Sequence, residues 1–460
     1  MKISELQKTG VFIFGSGTTG QGLALFMDHH EIPHTFIDDI YQDNEFRLNN
    51  GNHLIGVVSP GWKNDHPLLQ KAEDLNIKLI SEIDFAWEMK KQIAPDQKWV
   101  AITGTNGKTT AVQMLDCILQ NSDIKAAAGG NLGRTAIECL LANPPYQYLA
   151  LELSSFQIEW SNICRFESSA ILNIASDHLD YHGNFENYKN AKLRLFDLSA
   201  QKICNLDDEV LAEWFASDSS FANSIVTFSL SSPKAGQLGL VEEYLIDRAF
   251  VPDPAIAVEC GNLMDFPFQG SHNYSNALAA IAIARSVGIN EKVIASGLTN
   301  FQLDQHRLQN LGKHWGMNWI DDSKATNPHA AISALKNYEN ILWIVGGLTK
   351  GVSLDELMKV ASKRVKLAVV IGKEQEAVIT AIKEFAPNIK IVSMPNDYSG
   401  LDLMRLVVKK IIDLKLDGAT VLLAPAAASM DQFLSYKERG EFFAQAILEL
   451  EIPTQGEVDG

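Results

Sequence analysis

Thr103-Gly104-Thr105-Asn106-Gly107-Lys108-Thr109-Thr110 is the stretch from which the rest of this chain can be read. The apolar run Trp99-Val100-Ala101-Ile102 leads into it, and a helical pattern of Val112, Leu115, Ile118 and Leu119 leads out. Strand, glycine-bearing loop and helix in that order predict a phosphate site. Backbone N–H groups, the positive end of a helix dipole and the Lys108 ammonium converge on one polyphosphate, and Thr109 offers a hydroxyl to Mg²⁺. The predicted ligand is a nucleoside triphosphate with magnesium. Ile102 stands where the strict G-x-x-x-x-G-K-[ST] pattern places its first glycine. An ordinary structural turn is therefore the alternative, and the flanking strand and helix argue against it.

The chain has 460 residues, room for about three domains of ~150 each, and is 46% hydrophobic, which suffices for packed cores. Its 39 Lys and Arg against 56 Asp and Glu leave a net charge of −17. Such a surface repels nucleic acid and anionic membrane, so a polyanionic ligand has to be held by a few local cations. Cysteines at 117, 139, 164, 204 and 260 show no C-x-x-C spacing and are too sparse for a disulfide framework. No apolar leader or run of ~18 apolar residues occurs. A cytoplasmic chain with free thiols is expected.

Val11-Phe12-Ile13-Phe14 is a buried-strand run, and Gly15-Ser16-Gly17-Thr18-Thr19-Gly20 follows it before a helical stretch from Gly22 to His29. A second strand, His34 to Ile37, ends in Asp38-Asp39, about 20 residues beyond the glycine loop, where a dinucleotide fold places its ribose-binding acid. Alone, this predicts NAD or FAD and an NAD(P)-dependent oxidoreductase. A further strand ends in Ser59-Pro60-Gly61. Downstream, Glu152 interrupts the apolar strand Tyr148-Leu149-Ala150-Leu151, and a carboxylate there costs several kcal/mol unless paired or bound to metal. Asp177, His178, Asp180 and His182 follow the strand Ala170 to Ile174, where open α/β sheets bind ligands. Strands at Trp319 to Asp321, Ile341 to Val345, Leu367 to Ile371, Lys390 to Ser393 and Thr420 to Leu423 alternate with helical patterns, which predicts a second parallel sheet with helices on both faces.

The phosphate loop resembles that of the ATP-dependent Mur ligases and their folylpolyglutamate synthase relatives, and at least five separated motifs follow in the family's order. The resemblance implies an α/β chain of three domains: a Rossmann-like unit over 1–94, a central P-loop-type ATPase domain with an extra β-rich part over 95–302, and a doubly wound Rossmann-like domain over 303–460. It implies that Gly15, Ser16, Gly17, Thr18, Thr19, Ser59, Pro60 and Gly61 hold a UDP substrate rather than a redox cofactor, with Asn131 and His178 also on that substrate. No uracil contact is assigned to Asp39 or Ile40. Glu152-Leu153-Ser154-Ser155-Phe156-Gln157 resembles the branch that adds D-glutamate to UDP-N-acetylmuramoyl-L-alanine.

Further implications fall residue by residue. Glu152 and Thr109 would serve one Mg²⁺, and His178 with a carbamylated Lys192 a second. Lys192 sits in Tyr188-Lys189-Asn190-Ala191-Lys192, where a solvated helix face is the alternative. Asn273 and Asn276 match residues at the adenine and ATP site, though Ser271 or Asn273 also suits an N-cap. Arg307, with His306, would reach the γ-phosphate from another domain. Asp322 would meet the ATP ribose, Lys324 the phosphates, and Thr326 the incoming glutamate. Lys350, Ser429 and Tyr436 complete the D-glutamate site, Ser429 by opening a helix whose N-terminus favours a carboxylate. Lys108, His178, Lys192 and Arg307 are thus the catalytic candidates. A monomer acting on small molecules is expected. The oxidoreductase, a sibling ligase adding another amino acid and a non-catalytic nucleotide-dependent scaffold remain as rivals. NAD(P)H quenching would reveal the first, and ATP binding without phosphate release the last.

Overall fold

The computed structural model describes residues 1–451 apart from Asn52, Pro254, Leu303, Asp304, Lys350 and Gly351. The chain forms two compact units, one of 1–175 with 181–302 and one of 176–180 with 303–460. The first unit carries two sheets. β1 (Val11–Phe14), β2 (His34–Ile37), β3 (Ile55–Val58) and β4 (Lys78–Ser81) pair in parallel in the order β2-β1-β3-β4. The helix Thr18–His29 starts within the glycine loop, earlier than its apolar pattern implies, because Gly17 caps it.

The second sheet has nine strands: β5 (Lys98–Thr103), β6 (Ala126–Gly130), β7 (Tyr148–Glu152), β8 (Phe166–Ile171), β9 (Ser199–Asn205), β10 (Ile225–Phe228), β11 (Gln237–Val241), β12 (Tyr244–Asp247) and β13 (Val258–Asn262). Their order is β13-β12-β11-β10-β9-β8-β5-β7-β6. The β-rich part expected of the middle segment is thus no separate layer. Its antiparallel strands β11 to β13 extend the same sheet at one edge. Successive strands leave β5 first toward β6 and β7, then toward β8, so the crevice at their carboxyl ends is a topological switch point, where such sheets take ligands. Val11, Ile13 and Val57 share one core with Trp99, Ala101, Leu149 and Leu151, so the two sheets bury apolar faces against common side chains across the 94/95 position.

In the second unit, β14 (Gln309–His314), β15 (Met317–Asp321), β16 (Ile341–Gly346), β17 (Val365–Ile371), β18 (Lys390–Ser393) and β19 (Thr420–Leu423) lie in the order β14-β15-β19-β16-β17-β18. Alternate residues feed two cores: Ile320, Trp343 and Val345 one, and Trp319, Leu342 and Ile344 the other. Period-two burial on both faces makes these strands read as unbroken apolar runs and brings helices to both sides, as expected. β14 lacked such a signal. It is a part-polar edge strand, antiparallel to β15. Among the described residues no helix is long and apolar enough to cross a membrane.

Candidate active site

Gly107 enters the helix Lys108–Asn121 with φ 81, a left-handed conformation that favours glycine, and a Cβ there would stand 2.3 Å from Asn276 Oδ1. That close approach brings Asn276, on the helix Ser271–Ser286, onto the phosphate loop. Lys108 folds back so that Nζ donates to the carbonyls of Gly104 (2.8 Å) and Thr105 (2.9 Å). Asn173, past the end of β8, braces the loop twice: its Oδ1 accepts from the Asn106 amide at 2.8 Å and its Nδ2 donates to the Asn106 carbonyl at 3.1 Å. Thr105 Oγ1 meets Tyr188 OH at 2.9 Å. The loop is therefore held from three elements of the chain, as electrostatic preorganisation requires.

Glu152 ends β7 beside Ile102 of β5 and is 3% exposed. Asn131 Nδ2 donates to its Oε1 at 3.0 Å, whereas Oε2 is buried with no hydrogen-bond partner. An orphaned carboxylate oxygen at a phosphate loop fits a divalent cation. Among the described residues no group of three or more His, Cys, Asp or Glu forms a cage. Magnesium suits such a sparse set, because it keeps waters and takes phosphate oxygens in place of protein ligands. The Ser-Ser-Phe-Gln residues that follow are accounted for too. Ser154 and Gln157 form a reciprocal capping box on the helix Ser155–Trp160, and Ser155 Oγ meets His182 Nε2 at 2.9 Å.

Lys192 overturns the solvated-face alternative: it is 2% exposed, and its Nζ donates to the Gly104 carbonyl at 2.9 Å. Lys189 on the same helix is half-buried and pairs with Glu186 at 2.8 Å. The helix ends at Leu193, earlier than its pattern suggests, and Arg194 opens a 3₁₀ turn. His182 is buried between Ser155 and Glu159 and stacks on Phe156, a packed position. Asp177 and His178 belong to the segment grouped with the second unit, with His178 at φ 52 and its amide donating to Asp177 Oδ1 at 2.9 Å. Neither Ser271 nor Asn273 caps the helix Ser271–Ser286, since Gly270 does, and buried Asn273 donates to the Gln269 carbonyl at 2.8 Å.

A cavity of about 710 Å³ opens at the carboxyl edge of the first sheet, bordered by Gly15, Gly17, Thr18 and Thr19 from one loop and Ser59, Pro60 and Gly61 from the next. Ser16 is drawn away from it: its amide and hydroxyl donate to Asp38 Oδ2 at 2.6 and 2.8 Å. Burial works against that carboxylate, yet the Ser16 bonds hold its pKa below the ordinary value. With Asp38 engaged inside the loop, Asp39 and Asp65 are the acids that line the cavity. Trp62, Lys63 and His66 also line it. Their motif is a turn after a strand, and only the fold reveals that it faces the glycine loop.

The second unit gathers its motifs at one sheet edge. The segments after β15, β16 and β19 meet there through Ala426 N donating to Ala325 O (2.9 Å), Gly346 N to Pro425 O (2.9 Å), and a bridge between Leu348 and Ala428. Lys324 Nζ lies 3.8 Å from the Tyr436 ring centroid. Thr326 is half-buried and its amide donates to the Lys324 carbonyl at 2.8 Å. His306 is buried, its Nδ1 2.6 Å from Asp321 Oδ2. Burial pushes the Asp322 carboxyl up to about 7, against the Leu308 amide and the Arg307 charge. Lys350 lies outside the described residues. Buried Ser429 corrects one expectation: it opens a turn rather than a helix, its carbonyl accepting from the Gln432 and Phe433 amides, and the helix begins only at Tyr436. Beyond Ser429, the Asp431 and Gln432 side chains accept from the Lys373 and Gly372 amides.

Residues 102–284 match the Mur ligase middle domain and residues 306–427 the Mur ligase, glutamate ligase domain. The UDP-N-acetylmuramoylalanine–D-glutamate ligase of Thermobifida fusca is 42% identical over 86% of this chain and 85% of its own. That of Streptomyces coelicolor is 39% identical over 88% and 86%. Among solved structures, a pseudomurein peptide ligase type C from Methanothermus fervidus aligns with a TM-score of 0.62 at 17% identity, covering 96% of this chain and all of that one. MurF ligase from Thermotoga maritima in complex with ADP aligns at 0.59 and 16% identity, covering 98% and 97%. These two likenesses concern the fold.

Proposed function

The chain belongs to the Mur ligase family, and from that premise we infer that it joins D-glutamate to UDP-N-acetylmuramoyl-L-alanine at the expense of ATP, releasing ADP and phosphate in peptidoglycan precursor synthesis. The observation that carries the reading is the braced phosphate loop beside a buried carboxylate with one orphaned oxygen. A carboxylate is a poor acyl electrophile, so the substrate carboxylate first takes the γ-phosphoryl group. The D-glutamate amine then attacks the acyl carbon, losing a proton as phosphate leaves. Lys108 is proposed to spread charge on the transferring phosphoryl, with Arg307 and Lys324 assisting. Magnesium, when bound, supplies further charge neutralisation, and Glu152, Thr109, His178 and Lys192 are the residues proposed to hold it.

Carbamylation of Lys192 is part of the proposal. Lys108 and Lys192 both donate to the Gly104 oxygen, so two ammonium groups stand within about 6 Å and repel. Conversion of Lys192 to a carbamate relieves that repulsion and makes an oxygen ligand. Asn273, Asn276, His306 and Asp322 are proposed for the nucleotide, the cavity of the first sheet for UDP, and Thr326, Lys350, Ser429 and Tyr436 for D-glutamate. Domain limits at 94/95 and 302/303, a monomeric state and a cytoplasmic site complete the reading. The oxidoreductase alternative is not favoured, because the matched domains and the most similar relatives are ligases. Phosphate release is the test: it should require the UDP-muramoyl substrate, magnesium, ATP and D-glutamate together. Equal release with any one omitted would sink the reading.

A further inference from the structure

Arg439 is 0% exposed, yet among the described residues its guanidinium donates only to neutral oxygens and to no carboxylate. It stands in the first turn of the helix Tyr436–Glu451 and donates from three nitrogens: Nε to Ser323 Oγ (2.9 Å), Nη2 to the Ser323 carbonyl (2.8 Å) and Nη1 to the Ala427 carbonyl (3.2 Å). Burial lowers its pKa to about 9, with Asp431 and Asp321 opposing the fall, so it stays charged at neutral pH. Burying an ion is costly, and an apolar side chain of similar volume is often as good or better for stability. What an apolar side chain cannot do is fix two carbonyls and a hydroxyl in one plane, as a rigid guanidinium fork does.

Those acceptors lie on the two loops that matter. Ser323 sits between Asp322 and Lys324, three residues before Thr326, and Ala427 is two residues before Ser429. Ser323 Oγ also donates to the Tyr436 carbonyl at 2.8 Å, and the Ser323 amide donates to Asp321 Oδ1 at 2.9 Å. We propose that Arg439 is a positioning residue that aligns the loop after β15 with the loop after β19 and thereby sets the affinity for the incoming amino acid. The identity of that amino acid as D-glutamate rests on the function proposed above.

The test measures KM and kcat for Arg439→Met, Arg439→Lys and Arg439→Ala, alongside thermal melting. Arg439→Met should raise the KM for D-glutamate by about tenfold or more while kcat changes less, since it loosens contacts rather than removing a reacting group. Arg439→Lys should fall between it and wild type, and tens of millimolar guanidinium should lower the KM of Arg439→Ala. Should the Met and Ala variants not fold, Arg439→Lys decides alone. A wild-type KM in a folded variant, or a loss of kcat that merely tracks the folded fraction with no guanidinium rescue, would overturn the proposal. Wild-type protein assayed in parallel separates the two readings: absence of D-glutamate-dependent phosphate release defeats the function, whereas normal wild-type kinetics with unaltered variants defeats only the positioning role.

Discussion

Lys108 and Lys192 reach the same carbonyl oxygen from different elements, and their substitutions should nonetheless differ. Lys108→Ala removes a cation proposed to follow the transferring phosphoryl, so phosphate release should vanish; normal turnover would refute the phosphate-loop assignment. Lys192→Ala should cut turnover strongly but leave nucleotide binding, and acetate should restore part of the rate by occupying the lost ligand position. No rescue by any small carboxylate, with a bare amine found by mass spectrometry in fully active enzyme, would remove the carbamate. Ser429→Ala deletes one hydroxyl from a buried turn. It should raise the KM for D-glutamate about five- to 150-fold, the equivalent of about 1 to 3 kcal/mol, and spare the KM for ATP.

At the scale of elements, the helix Glu82–Ile93 starts with a buried carboxylate that no motif announced. Gln157 Nε2 donates to Glu82 Oε1 at 2.8 Å, while Oε2 is buried without a partner. Burial raises the Glu82 pKa from 4.5 to about 7, with the Gln157 bond opposing. The folded state therefore holds this proton more tightly than the unfolded chain. Its contribution to stability is full below about pH 4.5 and is lost as pH rises through about 7. Glu82→Gln keeps the acceptor for Gln157 without the charge. Its melting temperature should exceed wild type at pH 8, and the gap should close toward pH 4.5; an equal difference at both pH values would contradict this account. The helix Tyr436–Glu451 is limited by space instead. A Cβ on Gly440 would stand 2.2 Å from His306 Nδ1 and 2.7 Å from Asp321 Oδ2. Gly440→Ala should lower the melting temperature despite alanine's better helix propensity, because overpacking costs about 1 to 3 kcal/mol and the propensity gain is about 1.

The whole molecule carries a charge of −17 and binds, on this reading, two nucleotide-bearing polyanions. Such ligands gain nothing from the global field, so affinity has to come from local cations and loop amides. Two compact units also predict that heat unfolding is not a single two-state event. Magnesium with a non-hydrolysable ATP analogue should raise the calorimetric transition of the unit that carries the phosphate loop, by about 2.7 kcal/mol of added stability at 100 times Kd. Lys108→Ala should blunt that shift. A shift of the same size in the variant would place nucleotide binding elsewhere.

The sequence determined a good deal by itself. Its apolar runs and glycine turns fixed the parallel strands, the phosphate loop and the sheet with helices on both faces, because these depend on residues adjacent in the chain. Glu152 was also legible, since a carboxylate amid apolar strand residues needs a local reason. Only the tertiary structure decided which polar groups already had partners. Asp38 is engaged with Ser16 and His182 with Ser155, while Lys192 is buried on the Gly104 carbonyl rather than solvated. Ser429 opens a turn where a helix was expected, and beyond it the Asp431 and Gln432 side chains accept from the Lys373 and Gly372 amides. Arg439 meets a hydroxyl and a carbonyl 116 residues away. Each outcome turns on a partner distant in sequence or hidden by burial. Hydrogen bonds of that kind leave no periodicity in the chain, so spacing rules could locate the loops but could not say what each side chain in them would hold.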